Sequence, residues 1–284
     1  MLGRIQAYAS FVRFSHSVFA LPFALAGMLL ASRYTLVTLS RVGWVIAAMV
    51  AARTAAMGFN RLVDARHDAL NPRTEAREIP RGVISRFQAV IFVAFWSSVF
   101  VAVTSQISTL CLALSPAALA IAFWYSLAKR YTNYSQLFLG LAMAVAPVGG
   151  WLAAGGRAGW EPWLLGLAIG MWVGGFDVLY ACQDVDFDRN QGLRSIPVRY
   201  GVLNSLWISR GMHVVTIVML TALAAVTSLG LIYLFGVVVV AALLVYEQSL
   251  VRANDLSRIK QAFDLNGYVG ILYLATTAAA IYVG

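Results

Sequence analysis

Apolar residues run along this chain in blocks of about 20, broken by short polar punctuation and without strict alternation of polar and apolar positions. Coiled as an α-helix, such a block matches the hydrocarbon thickness of a bilayer, so each reads as a membrane-crossing helix. A two-residue period, the mark of a membrane β-barrel, is missing. The blocks fall at about 16–34, 41–60, 86–105, 107–126, 134–154, 162–182, 203–226, 228–247 and 264–283, which predicts nine spans. Gly230 is the turn signal that separates the seventh span from the eighth. The N-terminus lacks the ordered basic region, short apolar core and small-residue site of a cleavable signal, so the first span is expected to remain as a helix.

Composition agrees with this pattern. Of 284 residues, 61% are hydrophobic and 12% charged, and the mean hydropathy is +0.77, too little charge to cover a soluble domain of this size. The net charge of +9 invites a nucleic-acid reading, but the positions of the charges give a better one. With the N-terminus in the cytosol, 17 Lys and Arg fall on inside segments and three (Arg33, Arg41, Arg157) on outside loops, with Arg53 inside a span. That asymmetry sets the topology and needs no nucleic acid. Cys111 and Cys182 both fall within predicted spans and read as small buried apolar residues. No linker or low-complexity segment appears, so residues 1–284 are expected to form one membrane domain, with no obligate protein partner evident.

The two longest polar segments, about 61–85 and 183–202, resemble each other. Each starts with acids four apart at the end of a span, continues through Arg-bearing turn residues, and closes on Ile-Pro and a Gly ("IPRG" at 79–82, "IPVRYG" at 196–201). This suggests an internal repeat of helix–loop–helix units around 41–105 and 162–226.

Residues four apart on a helix share one face. Asn60, Asp64 and Asp68 therefore form a stripe at the inner end of the second span, and Asp184 and Asp188 form another at the end of the sixth. Carboxylates on adjacent turns repel unless a cation lies between them, and an all-oxygen Asp/Asn set suits Mg²⁺ shared with phosphate oxygens. Two opposed stripes imply metal-bridged diphosphate between them, with metals and nearby cations neutralising a leaving group. Asp177 is seven residues before Asp184, on the same face and deeper; Asp186 points the other way and reads, with Glu75 and Glu78, as a solvated ion-pair partner. Lys129 and Arg130, expected on another inner loop, and Arg73 and Arg194, just past the acidic motifs, are candidate diphosphate ligands. Tyr180, one turn before Asp184, either orients it through its hydroxyl or serves packing alone. His67 and His213 lack ligand-like spacing and receive no role.

With these motifs in view, the whole chain resembles the UbiA-type superfamily of intramembrane aromatic prenyltransferases. That family has nine helices and two Asp-rich motifs, N-x-x-x-D-x-x-x-D and D-x-x-x-D, which match Asn60/Asp64/Asp68 and Asp184/Asp188; "NPRT" (71–74), "YACQD" (180–184) and "SIPVRYG" (195–201) are also similar. Many members have Asn-Asp where this chain has Asn60-Arg61, which points to the branch near 4-hydroxybenzoate polyprenyltransferases and their menaquinone-pathway relatives. The resemblance implies an all-α fold around a central cavity that opens to the cytosol of a bacterial inner membrane. It implies Mg²⁺ as cofactor, with catalysis by Asp64, Asp68, Asp177, Asp184 and Asp188. It further implies transfer of a polyprenyl chain from its diphosphate to the ring of a hydroxylated aromatic acid in ubiquinone or menaquinone synthesis. Dihydroxynaphthoate, homogentisate or a tetrapyrrole are alternative acceptors. An Arg inside a span normally faces a cavity or a partner, and Arg53 lies seven residues before Asn60, deeper on the same face. It would hold either the acceptor carboxylate or an acid such as Asp64, while His16 and Tyr180 would help bound the acceptor. The rival of another class is a transporter, favoured by Arg53 and Asp177 but opposed by acids clustered at helix ends instead of the midplane.

Overall fold

A computed structural model describes residues 7–8, 10–12 and 20–284 of the chain. Its described residues are almost entirely helical: α1 (Leu21–Ala31), α2 (Leu39–Asp68), α3 (Arg86–Ile107), α4 (Thr109–Tyr131), α5 (Ser135–Ala153), α6 (Glu161–Ala181), the short α7 (Val185–Asn190), α8 (Ile196–Thr227), α9 (Gly230–Leu250) and α10 (Ile259–Tyr282). A 3-10 turn, Cys182–Asp184, joins α6 to α7. Eight segments among the described residues are long and apolar enough to cross a membrane, and α1 is a shorter apolar helix. With α1 they match the nine expected spans, and the chain is an integral membrane protein. The start of the expected first span, His16 with it, lies outside the described residues.

The helix starts follow local chemistry. Thr38 caps α2, Ser108 caps α4, and Ser85 with Gln88 forms a capping box on α3, each side chain taking up backbone N–H groups that a first turn leaves open. Ser108 alone, in extended conformation, separates α3 from α4. The break between α8 and α9 falls at Ser228–Leu229, beside the expected Gly230.

Several expected boundaries move. The apolar run of the second span ends at about residue 60, yet α2 runs 30 residues to Asp68. About 20 residues suffice to cross the bilayer, so the last two turns of α2, with the acidic stripe, project beyond the apolar layer. The helix ends at Asp68, just short of Asn71-Pro72, where proline disfavours helical geometry in the residue before it. Lys129 and Arg130, expected on a loop, lie in the last turn of α4.

α6 is the most enclosed of the eight candidate spans, whereas α4 is the least. Phe23 of α1, Trp172 of α6 and Tyr273 of α10 meet in the main core, with ring centroids 4.9 and 6.1 Å from Phe23. Against α5, the backbones of α1 and α6 come together with little between them. A side chain at Gly27 would strike the carbonyl of Pro147, one at Gly150 that of Ala24, and one at Gly140 that of Gly170. Dense backbone contact of this kind replaces the hydrophobic effect as the adhesive between helices in lipid.

Candidate active site

The ends of α2, α4 and α6–α7 gather around a cavity of about 200 Å³. It is lined by Asn60, Asp64 and Asp68 from α2, Lys129 and Arg130 from α4, and Asp177, Asp184 and Asp188 from the α6–α7 segment, with Arg73 and Arg77 from the intervening loop. The two acidic stripes therefore face one space. The 3-10 turn before α7 does not separate Asp184 from Asp188, and both remain on the cavity wall.

Each motif aspartate is held by one cation from a different element. Arg130 Nη2 lies 3.1 Å from Asp64 Oδ1, Arg77 Nη1 2.6 Å from Asp68 Oδ1, Arg73 Nη2 2.6 Å from Asp184 Oδ2, and Lys129 Nζ 3.2 Å from Asp188 Oδ2. Asn60 Nδ2 donates to Asp64 Oδ2 at 3.0 Å, so the first and second members of the α2 stripe are joined directly. Burial differs along the set: the Asp188 and Asp68 side chains are 3% and 9% exposed, that of Asp64 30%. A carboxylate this enclosed is costly to leave ionised without its cation, so each pair depends on both members.

The "NPRT" turn places Arg73. Asn71 Oδ1 accepts from the Arg73 N–H at 2.9 Å and Asn71 O from the Thr74 N–H at 2.8 Å, folding the chain back over the end of α2. From there Arg73 reaches across to the second motif, donating to Tyr180 Oη at 2.7 Å as well as to Asp184. Tyr180 thus touches Asp184 only through Arg73, and its ring packs against Phe263 at 5.0 Å.

Other expected residues lie farther out. Arg53 is half-buried, outside the cavity lining, in electrostatic reach of Tyr125, which does line it. Arg194 is exposed and bonds to the end of α4, outside the lining. Asp186 is 96% exposed beside Arg189 at 3.9 Å. Arg77, His67, Tyr125, Ser126 and Ser135 are among the lining residues to which sequence reasoning gave no role. A signal for Arg77 existed: Arg73, Arg77 and Arg81 also recur every four residues. His67, three residues after Asp64 and seven after Asn60, shares their face of α2, and its Nδ1 is buried without a hydrogen-bond partner.

The donor set fits a hard divalent cation. All motif donors are oxygens, and Asp68 Oδ2 is buried without a hydrogen-bond partner. Among the described residues no three His, Cys, Asp or Glu side chains converge as a closed cage. Mg²⁺ does not require one, because it is bound through one or two carboxylates and completes its shell with water and substrate phosphate.

Comparison with known proteins extends these findings. The model of the UbiA prenyltransferase family matches residues 20–274. The chain is 34% identical over 221 residues to a 4-hydroxybenzoate octaprenyltransferase of Vibrio campbellii, covering 78% of this chain and 77% of that one. The corresponding Vibrio vulnificus protein is 33% identical over 225 residues, covering 79% and 78%. Among solved structures, the apo structure of a UbiA homolog from Aeropyrum pernix K1 superposes with a TM-score of 0.85 at 35% identity, covering 92% of this chain and 96% of that one. A UbiA homolog from Archaeoglobus fulgidus, bound to DMAPP and Mg²⁺, shares the fold with a TM-score of 0.76 at 18% identity, covering 98% and 99%.

Proposed function

The chain belongs to the UbiA prenyltransferase family and is a prenyl-transferring membrane enzyme; from that premise we propose that it moves a polyprenyl chain from polyprenyl diphosphate to the ring of a hydroxylated aromatic acid of the 4-hydroxybenzoate kind, with Mg²⁺, in quinone synthesis. The observation that carries this reading is the cavity in which four aspartates from two motifs face four cations from other elements. The Vibrio relatives named for 4-hydroxybenzoate favour the acceptor class.

Asp64, Asp68, Asp184 and Asp188, with Asn60, would hold Mg²⁺, which supplies charge neutralisation of the diphosphate leaving group. Arg73, Arg77, Lys129 and Arg130 are donors that carboxylate and phosphate oxygens both satisfy, so they grip the diphosphate as it enters. The allylic C–O bond then breaks, its electrons leaving with the diphosphate, and the allylic cation is attacked by the ring carbon ortho to the phenol hydroxyl. That carbon loses its proton to restore aromaticity. Asp177, on the cavity wall and in no ion pair among the described residues, is the base best placed to take it. Arg53, outside the lining but in electrostatic reach of the lining residue Tyr125 and deeper than the α2 stripe, is assigned the acceptor carboxylate, because an unpaired anion inside the protein needs a charged donor. The polyprenyl tail, worth ~0.8 kcal/mol per buried CH₂, stays in lipid while its charged head meets the site.

The test is purified protein in detergent with Mg²⁺, a polyprenyl diphosphate and a panel of acceptors, read by mass spectrometry. A Mg²⁺-dependent adduct of the aromatic acid is expected. Prenylation of dihydroxynaphthoate or a neutral phenol in its place overturns the acceptor assignment, and product in detergent, with no gradient present, excludes a carrier. The site is proposed to face the cytosol of a bacterial inner membrane, which requires cysteines introduced at positions 75 and 190 to label from that side alone.

A further inference from the structure

The segment after the second acidic motif makes contacts that the reaction as described does not use. Gly192, at φ +67°, turns the chain, and the Leu193 N–H donates to Asp188 O at 2.8 Å, tying the segment to the motif itself. Arg194 then crosses to α4. Its backbone N–H donates to Lys129 O at 2.7 Å and its Nη1 to Tyr131 O at 2.8 Å. Two residues on, the Ile196 N–H donates to Oε1 of the fully buried Gln136 at the start of α5 at 3.2 Å. The strap 192–196 therefore joins the second motif to the α4–α5 corner.

The last carbonyls of a helix have no partner within it, and a last turn frays unless something holds it. Arg194 satisfies two of those carbonyls on α4 and adds a positive charge where the helix dipole favours one. The turn it holds carries Lys129 and Arg130, which reach Asp188 in one motif and Asp64 in the other. Since both side chains stand on this single turn, loosening it displaces both at once.

We propose that Arg194 is a positioning residue for the diphosphate: it splints the C-terminal turn of α4 and so fixes Lys129 and Arg130 between the two acidic motifs. It acts through those residues and does not touch the substrate. The proposal rests on the diphosphate-transfer reading above, and it separates from that reading because one measurement needs no turnover.

That measurement is amide hydrogen exchange of the full-length protein in detergent. Arg194→Ala should speed exchange severalfold in peptides covering residues 128–132 and leave the end of α2 unchanged. In steady-state kinetics with a polyprenyl diphosphate and the preferred acceptor, Arg194→Ala should raise KM for the diphosphate about fivefold, the size of one hydrogen bond. KM for the acceptor should change less than twofold. Arg194→Lys, which still donates to Tyr131 O, should restore most of both readouts, and the neutral donor in Arg194→Gln should restore part. Unchanged exchange at 128–132 overturns the proposal. So does a rise in diphosphate KM that only charge, and no neutral donor, repairs, since Arg194 would then be binding phosphate itself. Equal rises in both KM values overturn it too. If the wild-type protein transfers no polyprenyl chain, the functional reading fails while the exchange experiment still decides the splint.

Discussion

Arginine stands at both ends of the helix bundle, and the two ends use it differently. At the motif end, Arg73, Arg77 and Arg130, with Lys129, each hold a carboxylate across a cavity. At the opposite end Arg33 donates to the carbonyl of Thr227 at the close of α8, and Arg41 to that of Ala154 at the close of α5, at 3.4 Å. Thr35 Oγ1 adds a bond to the same Ala154 oxygen at 2.8 Å. Arg157 lies 3.9 Å over the ring of Tyr34, whose hydroxyl donates to the buried Glu161 at 3.1 Å. The opposite end is a lock in which arginines close helix ends, on acceptors that no substrate competes for. At the motif end both partners in each pair have an alternative: the carboxylate can take a metal and the cation can take phosphate. The same side chain is structural or functional according to whether its partner can be exchanged.

The sharpest break in this comparison comes from the motif end. Asp64→Ala and Asp184→Ala should each lower turnover by at least ~10²-fold, on the scale of a key electrostatic group, and Asp64→Ala, at the more exposed position, should leave thermal unfolding little changed. Near-normal turnover in both would remove the exchangeable pairs from the reaction. Next is Arg53→Lys, which keeps the charge and loses the planar two-point grip. It should raise KM for the aromatic acid about tenfold, the equivalent of ~1.4 kcal/mol, against little change for the diphosphate. An equal rise for both substrates would place Arg53 among the residues that organise the aspartates.

The lock predicts the reverse pattern. Glu161→Ala strands the Tyr34 hydroxyl and leaves Arg157 without its anion, so thermal unfolding in detergent should report a loss of ~1–3 kcal/mol while turnover per folded molecule holds. A fall in turnover at unchanged stability would erase the distinction between the ends. The smallest effect belongs to Asp186→Ala. Its carboxylate is exposed and paired only loosely with Arg189, so activity should stay within about twofold.

The bundle was legible in the sequence because lipid imposes a minimum length on every apolar run. The acidic stripes were legible because a helix converts a spacing of four into a shared face. What lay beyond that was set by partners distant in the chain. Arg77 belongs to the site by way of the Asn71 turn, which carries it back to Asp68. Arg194 looked like a phosphate ligand by charge and position, and only the α4–α5 corner shows that its hydrogen bonds go to helix-end carbonyls. Lys129 and Arg130 were recognised as site candidates, but their helix outlasts its apolar run, as α2 does at Asp68. Hydropathy marks where lipid ends, and a helix stops where its backbone finds other partners.

The glycine contacts of α1, α5 and α6 have a mechanical consequence. Where backbone meets backbone at Gly27, Gly150 and Gly140, no side chain stands between to change rotamer, so that wall behaves as a stiff stave. α4, the span least enclosed by its neighbours, contains no glycine and meets them through side chains. The cavity of about 200 Å³ is lined from both sides, by Ser135 and Asp177 of the glycine-contacting helices and by Lys129 and Arg130 of α4. Two of the four ion pairs across it thus have their cation on the less enclosed helix and their aspartate elsewhere.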